Sequence, residues 1–245
     1  MGKFSILLMA AGKSSRFKDR EKKPYVDLDG RAVWLRSAEL FVTRKDVVQT
    51  LMVIAEEDDE EFRRRFGPQL AFMNVQKVFG GAERHDSVAK ALATVSADAD
   101  FVVVHDSVRP CVTAEQIDAV LAAGAKSGAA ILACPITDTI KRVDRLGKIE
   151  ATVPREQLWL AQTPQVFRRD WLQEAYAQRA KLGPGITDDA QLLEALGHPV
   201  VVVEGHPSNI KITSRPDLAL AEAIIKGRPK PKTKTIHPFA DEAKW

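Results

Sequence analysis

Six basic side chains crowd eleven residues of this chain: Lys13, Arg16, Lys18, Arg20, Lys22 and Lys23, with only Asp19 and Glu21 among them. Just before them stands Ala10-Ala11-Gly12, and before that residues 5–9 form an apolar run that reads as a buried strand. Small side chains let backbone N–H groups approach an anion, and cations neutralise it, so the layout suits phosphate. Two familiar phosphate loops are excluded. Gly12-Lys13-Ser14 copies the end of a Walker A loop, but Leu7 stands where its first glycine belongs. The dinucleotide fingerprint fails because Ser14 occupies the second glycine position. A solvated loop with ordinary charges is the other reading of such a run. The excess of bases at the carboxyl end of a first strand favours phosphate.

Two further segments could carry chemistry. His105-Asp106-Ser107-Val108-Arg109-Pro110 follows a strongly apolar run at 101–105, so Asp106 falls beyond a strand's carboxyl end, where open α/β sheets bind ligands. A carboxylate there can hold Mg²⁺ against phosphate oxygens, or it can cap a turn before Pro110. Gly80-Gly81-Ala82-Glu83-Arg84 with Ser87 can bring backbone groups close to a nucleobase edge, or can simply turn a strand into a helix. Taken singly, Thr163-Pro164 is a turn and Lys211 a surface lysine.

With Lys23-Pro24-Tyr25 in view, the opening resembles nucleotidyltransferases that join a nucleoside monophosphate to a sugar or polyol phosphate. Later segments narrow the resemblance to the 2-C-methyl-D-erythritol 4-phosphate cytidylyltransferase family of the non-mevalonate isoprenoid pathway. They are the G-G-x-x-R…S run at 80–87, H-D-x-x-R-P at 105–110, T-P-Q-x-F at 163–167, I-T-D at 186–188 and N-I-K at 209–211. The matches run in order over residues 4–225. The resemblance implies transfer of CMP from CTP to the polyol phosphate, with release of pyrophosphate. It assigns Arg16, Lys23 and Lys211 to catalysis, and Ala10, Ala11, Gly12, Gly80, Gly81, Ser87 and Asp106 to the nucleotide. Asp106 would also hold Mg²⁺ or another hard divalent cation. Arg109, Thr139, Arg155, Thr163 and Thr187 would bind the polyol phosphate, with Thr139 and Arg155 reaching the neighbouring subunit's site. Two positions depart from the family. Ala82 replaces an acidic residue and removes one contact to the base, and Ser208 replaces an aspartate that could support Lys211 or the metal. A ribitol 5-phosphate cytidylyltransferase and a non-catalytic nucleotide-binding regulatory module are the alternatives.

These residues need a scaffold, and the alternation of strand-like and helix-like patterns predicts one. It is an α/β, Rossmann-like, mainly parallel twisted sheet with helices on both faces. Helices are expected at 32–42, 58–66, 169–182, 188–196 and 217–226, with strands at 47–54, 75–79, 101–105, 129–135 and 200–204. Val88, Ala91, Leu92 and Val95 mark one face of another helix. Thr113 with Gln116 reads as a capping box, and the helix it opens shows Ile117, Val120, Leu121 and Gly124 on one side. Residues 137–161 break the pattern. They are rich in β-formers and turn residues without a helical crossover, and read as a protruding β-arm. Because an isolated hairpin is marginal in water, a homodimer with exchanged arms is expected.

The expected organisation is one nucleotidyltransferase domain at 1–227 and a basic, proline-containing tail at 228–245. The tail explains the net charge of +3: from Lys226 onward there are six bases and two acids, which leaves 30 bases against 31 acids elsewhere. A nucleic-acid binder carries its positive charge on the folded domain, so no nucleic-acid partner is expected. No apolar run approaches membrane-spanning length and the chain opens straight into a strand, so neither membrane nor secretion is expected. Cys111 and Cys134 suit reduced core thiols in the cytoplasm.

Overall fold

The computed structural model describes residues 2–12, 17, 21–181 and 186–229. Its first half runs β1 (Phe4–Met9), a short pair β2 (Asp27–Leu28) and β3 (Arg31–Ala32), α1 (Val33–Val42), β4 (Val47–Ile54), α2 (Asp59–Phe72), β5 (Val75–Phe79), α3 (Arg84–Leu92) and β6 (Phe101–Asp106). The second half runs α4 (Ala114–Ser127), β7 (Ala129–Pro135), β8 (Ile140–Val143), β9 (Ile149–Val153), β10 (Trp159–Arg168), α5 (Arg169–Gln178), α6 (Asp189–Ala195), β11 (Val201–Glu204) and α7 (Arg215–Lys226).

Seven strands form one sheet in the order β11-β7-β10-β6-β1-β4-β5. β1 lies parallel to both β4 and β6, and β10 alone runs antiparallel, between β6 and β7. All six residues of β1 are buried, as a strand covered on both faces requires. Side chains alternate between two apolar layers. Ile6, Leu8, Met52, Ile54 and Val103 meet the helices on one face, including Trp34, Phe41, Phe62 and Ile117. Leu7, Met9, Leu51, Val53, Val102 and Val104 meet Val88, Leu92, Leu172 and Leu193 on the other. A smaller cluster of Phe17, Leu28, Val33, Val108, Cys111, Ile212 and Ala221 seats α7 beside the β2–β3 turn.

The ends of α4 follow from local chemistry. Thr113 Oγ1 accepts from Gln116 N at 3.3 Å while Gln116 Oε1 accepts from Thr113 N at 3.0 Å, so the expected capping box is present. Ile117, Val120, Leu121 and Gly124 form its buried side. Gly128 stops the helix at φ +90°, a conformation only glycine adopts without strain.

Three expectations are corrected. The helix α2 continues past residue 66 through Pro68 to Phe72, because Pro68 and Arg64 face solvent, where the unbonded carbonyl meets water. The excursion is shorter than 137–161: Trp159, Leu160 and Ala161 already pair with Pro135, Cys134 and Ala133 in the main sheet. Within it, β8 and β9 form their own antiparallel ladder. Finally, Thr163-Pro164 is no surface turn but lies inside β10, with a cis peptide bond and a break in the pairing register between Ala161 and Gln165. A proline argues against a central strand, and this one is accommodated at that irregularity.

Candidate active site

A cavity of about 410 Å³ opens at the carboxyl ends of β1 and β6. Ala10, Ala11, Gly12, Lys23, Gly81, Ser87, Asp106 and Lys211 line it, together with Arg84. They come from five separate stretches of sequence, and each has a structural reason for its place.

The floor is backbone. Ala10 N donates to Val53 O at 2.8 Å and Gly80 N to Ile54 O at 2.7 Å, extending the ladder past the formal strand ends. A Cβ on Gly80 would lie 2.6 Å from Ala11 Cβ and 2.7 Å from Ser87 Oγ, and one on Gly81 would lie 2.5 Å from Asp86 Cβ. Only glycine permits that approach, so both functional and turn readings of the pair meet in one geometry. The Ser87 hydroxyl lies 3.0 Å from Gly81 N and 3.0 Å from Glu83 O, locking the loop onto α3.

Lys23 stands on a 3₁₀ turn, Lys23–Tyr25, pinned to α2. Tyr25 OH donates to Asp58 at 3.0 Å, Arg65 donates to Tyr25 O at 3.1 Å, and Lys22 Nζ pairs with Asp58 at 2.7 Å. Lys22 is therefore structural, and of the two it is Lys23 that lines the cavity.

Asp106 is 6% exposed, yet three cations surround it. Lys211 Nζ lies 2.8 Å and Arg109 Nε 3.5 Å from Oδ2, and Arg84 acts from farther off. Burial alone raises a carboxyl pKa, but these charges outweigh it and hold Asp106 ionised, well below the usual range. Lys211 is held by its neighbours. Asn209 Nδ2 donates to Gln162 Oε1 at 3.1 Å and Thr163 O at 3.0 Å, Arg109 donates to Asn209 O at 2.7 Å, and Ile212 N to Val108 O at 2.9 Å. Ser208 turns to His206 Nδ1 at 2.7 Å, so Lys211 draws its carboxylate from Asp106.

Thr163 lies behind this site. Its Oγ1 accepts from Asp106 N at 3.0 Å and faces His105 Nδ1 at 3.0 Å. His105 is fully buried, and burial lowers its pKa to about 4, so it is neutral and structural. Three other residues do not meet the cavity within this chain. Thr187 N and Oγ1 lie 2.9 and 3.4 Å from Gln191 Oε1 at the start of α6. Arg155 donates to Thr137 O at the base of the β8–β9 hairpin, and Thr139 is in the same exposed segment. Arg16 lies outside the described residues, as does the tail from residue 230.

Sequence reasoning quoted Arg84 in its motif but gave it no role. Its guanidinium pairs with Asp189 at 2.8 Å, and Asp189 also accepts from Tyr176 OH at 2.6 Å. That buried carboxylate was legible only as the residue after the I-T-D segment.

The model of the family described as 2-C-methyl-D-erythritol 4-phosphate cytidylyltransferase (IspD) matches residues 4–227. The chain is 41% identical over 232 residues to the enzyme of that name from Pelotomaculum thermopropionicum, covering 93% of this chain and 96% of the relative. The solved structure of 2-C-methyl-D-erythritol 4-phosphate cytidylyltransferase from Thermus thermophilus superposes with a TM-score of 0.74 at 32% identity, over 92% of this chain and all of that one. The 4-diphosphocytidyl-2C-methyl-D-erythritol synthase of Anaerococcus prevotii superposes with a TM-score of 0.78 at 28% identity, over 92% of this chain and 96% of that one.

Proposed function

The chain belongs to the 2-C-methyl-D-erythritol 4-phosphate cytidylyltransferase family, and from that membership we propose how its cavity performs the family's reaction. The protein transfers CMP from CTP to 2-C-methyl-D-erythritol 4-phosphate, giving 4-diphosphocytidyl-2-C-methyl-D-erythritol and pyrophosphate. The observation that carries the reading is the meeting of Gly12, Lys23, Asp106 and Lys211, remote in sequence, around one cavity.

The nucleophile is a phosphate oxygen of the polyol phosphate, already ionised at neutral pH. It attacks the α-phosphorus of CTP in line with departing pyrophosphate. No covalent enzyme intermediate is needed, and catalysis reduces to positioning and charge neutralisation. The 10–12 and 80–81 backbones receive the nucleoside, with Ser87 holding the second. Lys23, and by resemblance Arg16, neutralise the triphosphate, and Lys211 meets the transferring phosphate. Arg109, Thr139, Arg155, Thr163 and Thr187 are assigned to the polyol phosphate.

The donor set fits a hard divalent cation. Among the described residues no three acidic, His or Cys side chains cluster as a cage, so the protein's share is the Asp106 carboxylate, with substrate phosphates and water supplying the rest. When bound, such an ion neutralises and orients the triphosphate. Asp106 would hold such an ion through its carboxylate, and Lys211 beside it would meet the transferring phosphate.

The partner arrangement we propose is a homodimer. Val143, Leu146 and Ile149 of the β8–β9 hairpin are exposed apolar residues, and pairing with a twin gives them cover and carries Arg155 and Thr139 to the other subunit's cavity. We place the enzyme in the cytoplasm: both cysteines are free and buried, and no described helix is long and apolar enough to cross a membrane.

Pyrophosphate release from CTP tests the function. It should require 2-C-methyl-D-erythritol 4-phosphate and exceed release with ribitol 5-phosphate. A higher kcat/KM with ribitol 5-phosphate reassigns the substrate. CTP binding without release in the presence of either polyol phosphate makes the protein a regulatory module.

A further inference from the structure

Arg84 opens α3 and lines the cavity, and its side chain is 33% exposed. A buried acid holds its guanidinium. Arg84 Nη2 lies 2.8 Å from Asp189 Oδ2, and Tyr176 OH donates to Asp189 Oδ1 at 2.6 Å. Asp189 is 1% exposed, and a buried carboxylate left unpaired is strongly destabilising. The three side chains come from α3, α5 and α6, and together they bridge the sheet-side helices to the cavity wall.

A guanidinium is a planar fork of five donors, and a carboxylate on one edge fixes where the remaining donors point. Arg84 shares the cavity wall with Gly12, Gly81 and Ser87, and its charge reaches Asp106. The pairing with Asp189 also offsets part of Arg84's charge, which suits recognition of a polar acceptor more than neutralisation of a transferring phosphate. A helix clamp alone would have no need to stand on the cavity wall.

We propose that Tyr176 and Asp189 are positioning residues that aim Arg84 at an acceptor group of the bound nucleoside triphosphate, and that this relay sets affinity for CTP with little part in the chemical step. The proposal rests on the assignment of the cavity to CTP.

The test measures CTP binding by calorimetry, together with KM for CTP, kcat and the melting temperature. The variants are Tyr176→Phe, Asp189→Asn, Arg84→Lys and the double variant Tyr176→Phe/Arg84→Lys. Losing one hydrogen bond to a charged group should raise Kd and KM for CTP about 3- to 10-fold in Tyr176→Phe, with kcat within about 3-fold. Asp189→Asn should raise both further, about 10- to 100-fold, because the fork loses its ionic anchor. In the Arg84→Lys background, Tyr176→Phe should have no added effect on CTP affinity, since Tyr176 acts through the fork. Should Asp189→Asn fail to fold, Tyr176→Phe and the double variant decide alone. Unchanged CTP affinity in Tyr176→Phe and Asp189→Asn overturns the proposal, as do additive losses in the double variant. A lower melting temperature with unaltered KM reduces the network to a clamp. Wild-type protein that does not bind CTP overturns the reading of the cavity, and the relay with it.

Discussion

At the scale of single residues, the site is an arrangement of charge around one carboxylate. Asp106 keeps Lys211 and Arg109 within 3.5 Å, so the cations are preorganised before any phosphate arrives. If Lys23 and Lys211 stabilise charge that grows in the transition state, Lys23→Ala and Lys211→Ala should each lower kcat by about two to three orders of magnitude, with a smaller change in CTP affinity. Steady-state kinetics beside equilibrium binding separates these. A raised KM at unchanged kcat would reduce either lysine to a ground-state contact. His105 supplies a prediction about stability. Its pKa falls from an ordinary 6.5 to about 4 because burial disfavours the imidazolium. Between those values the unfolded chain binds a proton that the folded protein refuses, so acidification destabilises the fold. The contribution is about 2 kcal/mol at pH 5 and vanishes above pH 7. Urea unfolding of wild type and His105→Gln at pH 7 and pH 5 reads this directly. The wild type should lose more stability than the variant, and equal losses would show that His105 takes up its proton in the fold.

At the scale of elements, close packing decides where small residues stand. Gly124 sits in the last turn of α4, inside the helix, where alanine normally gains about 1 kcal/mol. A Cβ there would lie 2.5 Å from Val166 Cγ1 and 2.8 Å from Val166 Cβ. Overpacking of that kind costs about 1–3 kcal/mol, so the contact outweighs the helix preference. Gly124→Ala should lower stability by about 1 kcal/mol, and Val166→Ala in the same chain should recover part of that loss. A more stable Gly124→Ala protein in thermal unfolding would mean that α4 and β10 are less tightly apposed.

At the scale of the whole molecule, Arg155 and Thr139 stay beside the hairpin and do not line the cavity of their own chain. The exchanged-hairpin dimer proposed above would carry them to the partner's cavity. Arg155→Ala and Lys211→Ala would then damage different halves of one composite site. In a mixed dimer one site carries both lesions and the other neither. Random mixing makes about half the dimers mixed, so roughly a quarter of wild-type activity should return when the two inactive variants are refolded together. Mixed dimers as inactive as their parents would mean that each hairpin serves its own chain.

Much of this was legible in the residues themselves. Long apolar runs such as 101–105 and 129–135 can only be strands covered on both faces, and Thr113 with Gln116 announces a helix start from local hydrogen bonding alone. Ala10, Ala11, Gly12, Lys23 and Asp106, picked out by type and order, stand on the cavity wall, because phosphate chemistry draws on few residue types. What stayed hidden depends on contacts between distant segments. A proline inside a central strand looks like a turn until the neighbours of β10 are known. Arg84 looks like any helix-opening arginine until Asp189 arrives from the far end of the chain, and by residue type alone Lys22 cannot be told from Lys23 until Asp58 claims the first. Local preference reads out elements and candidate groups. Only the packed sheet determines which of those groups face one another.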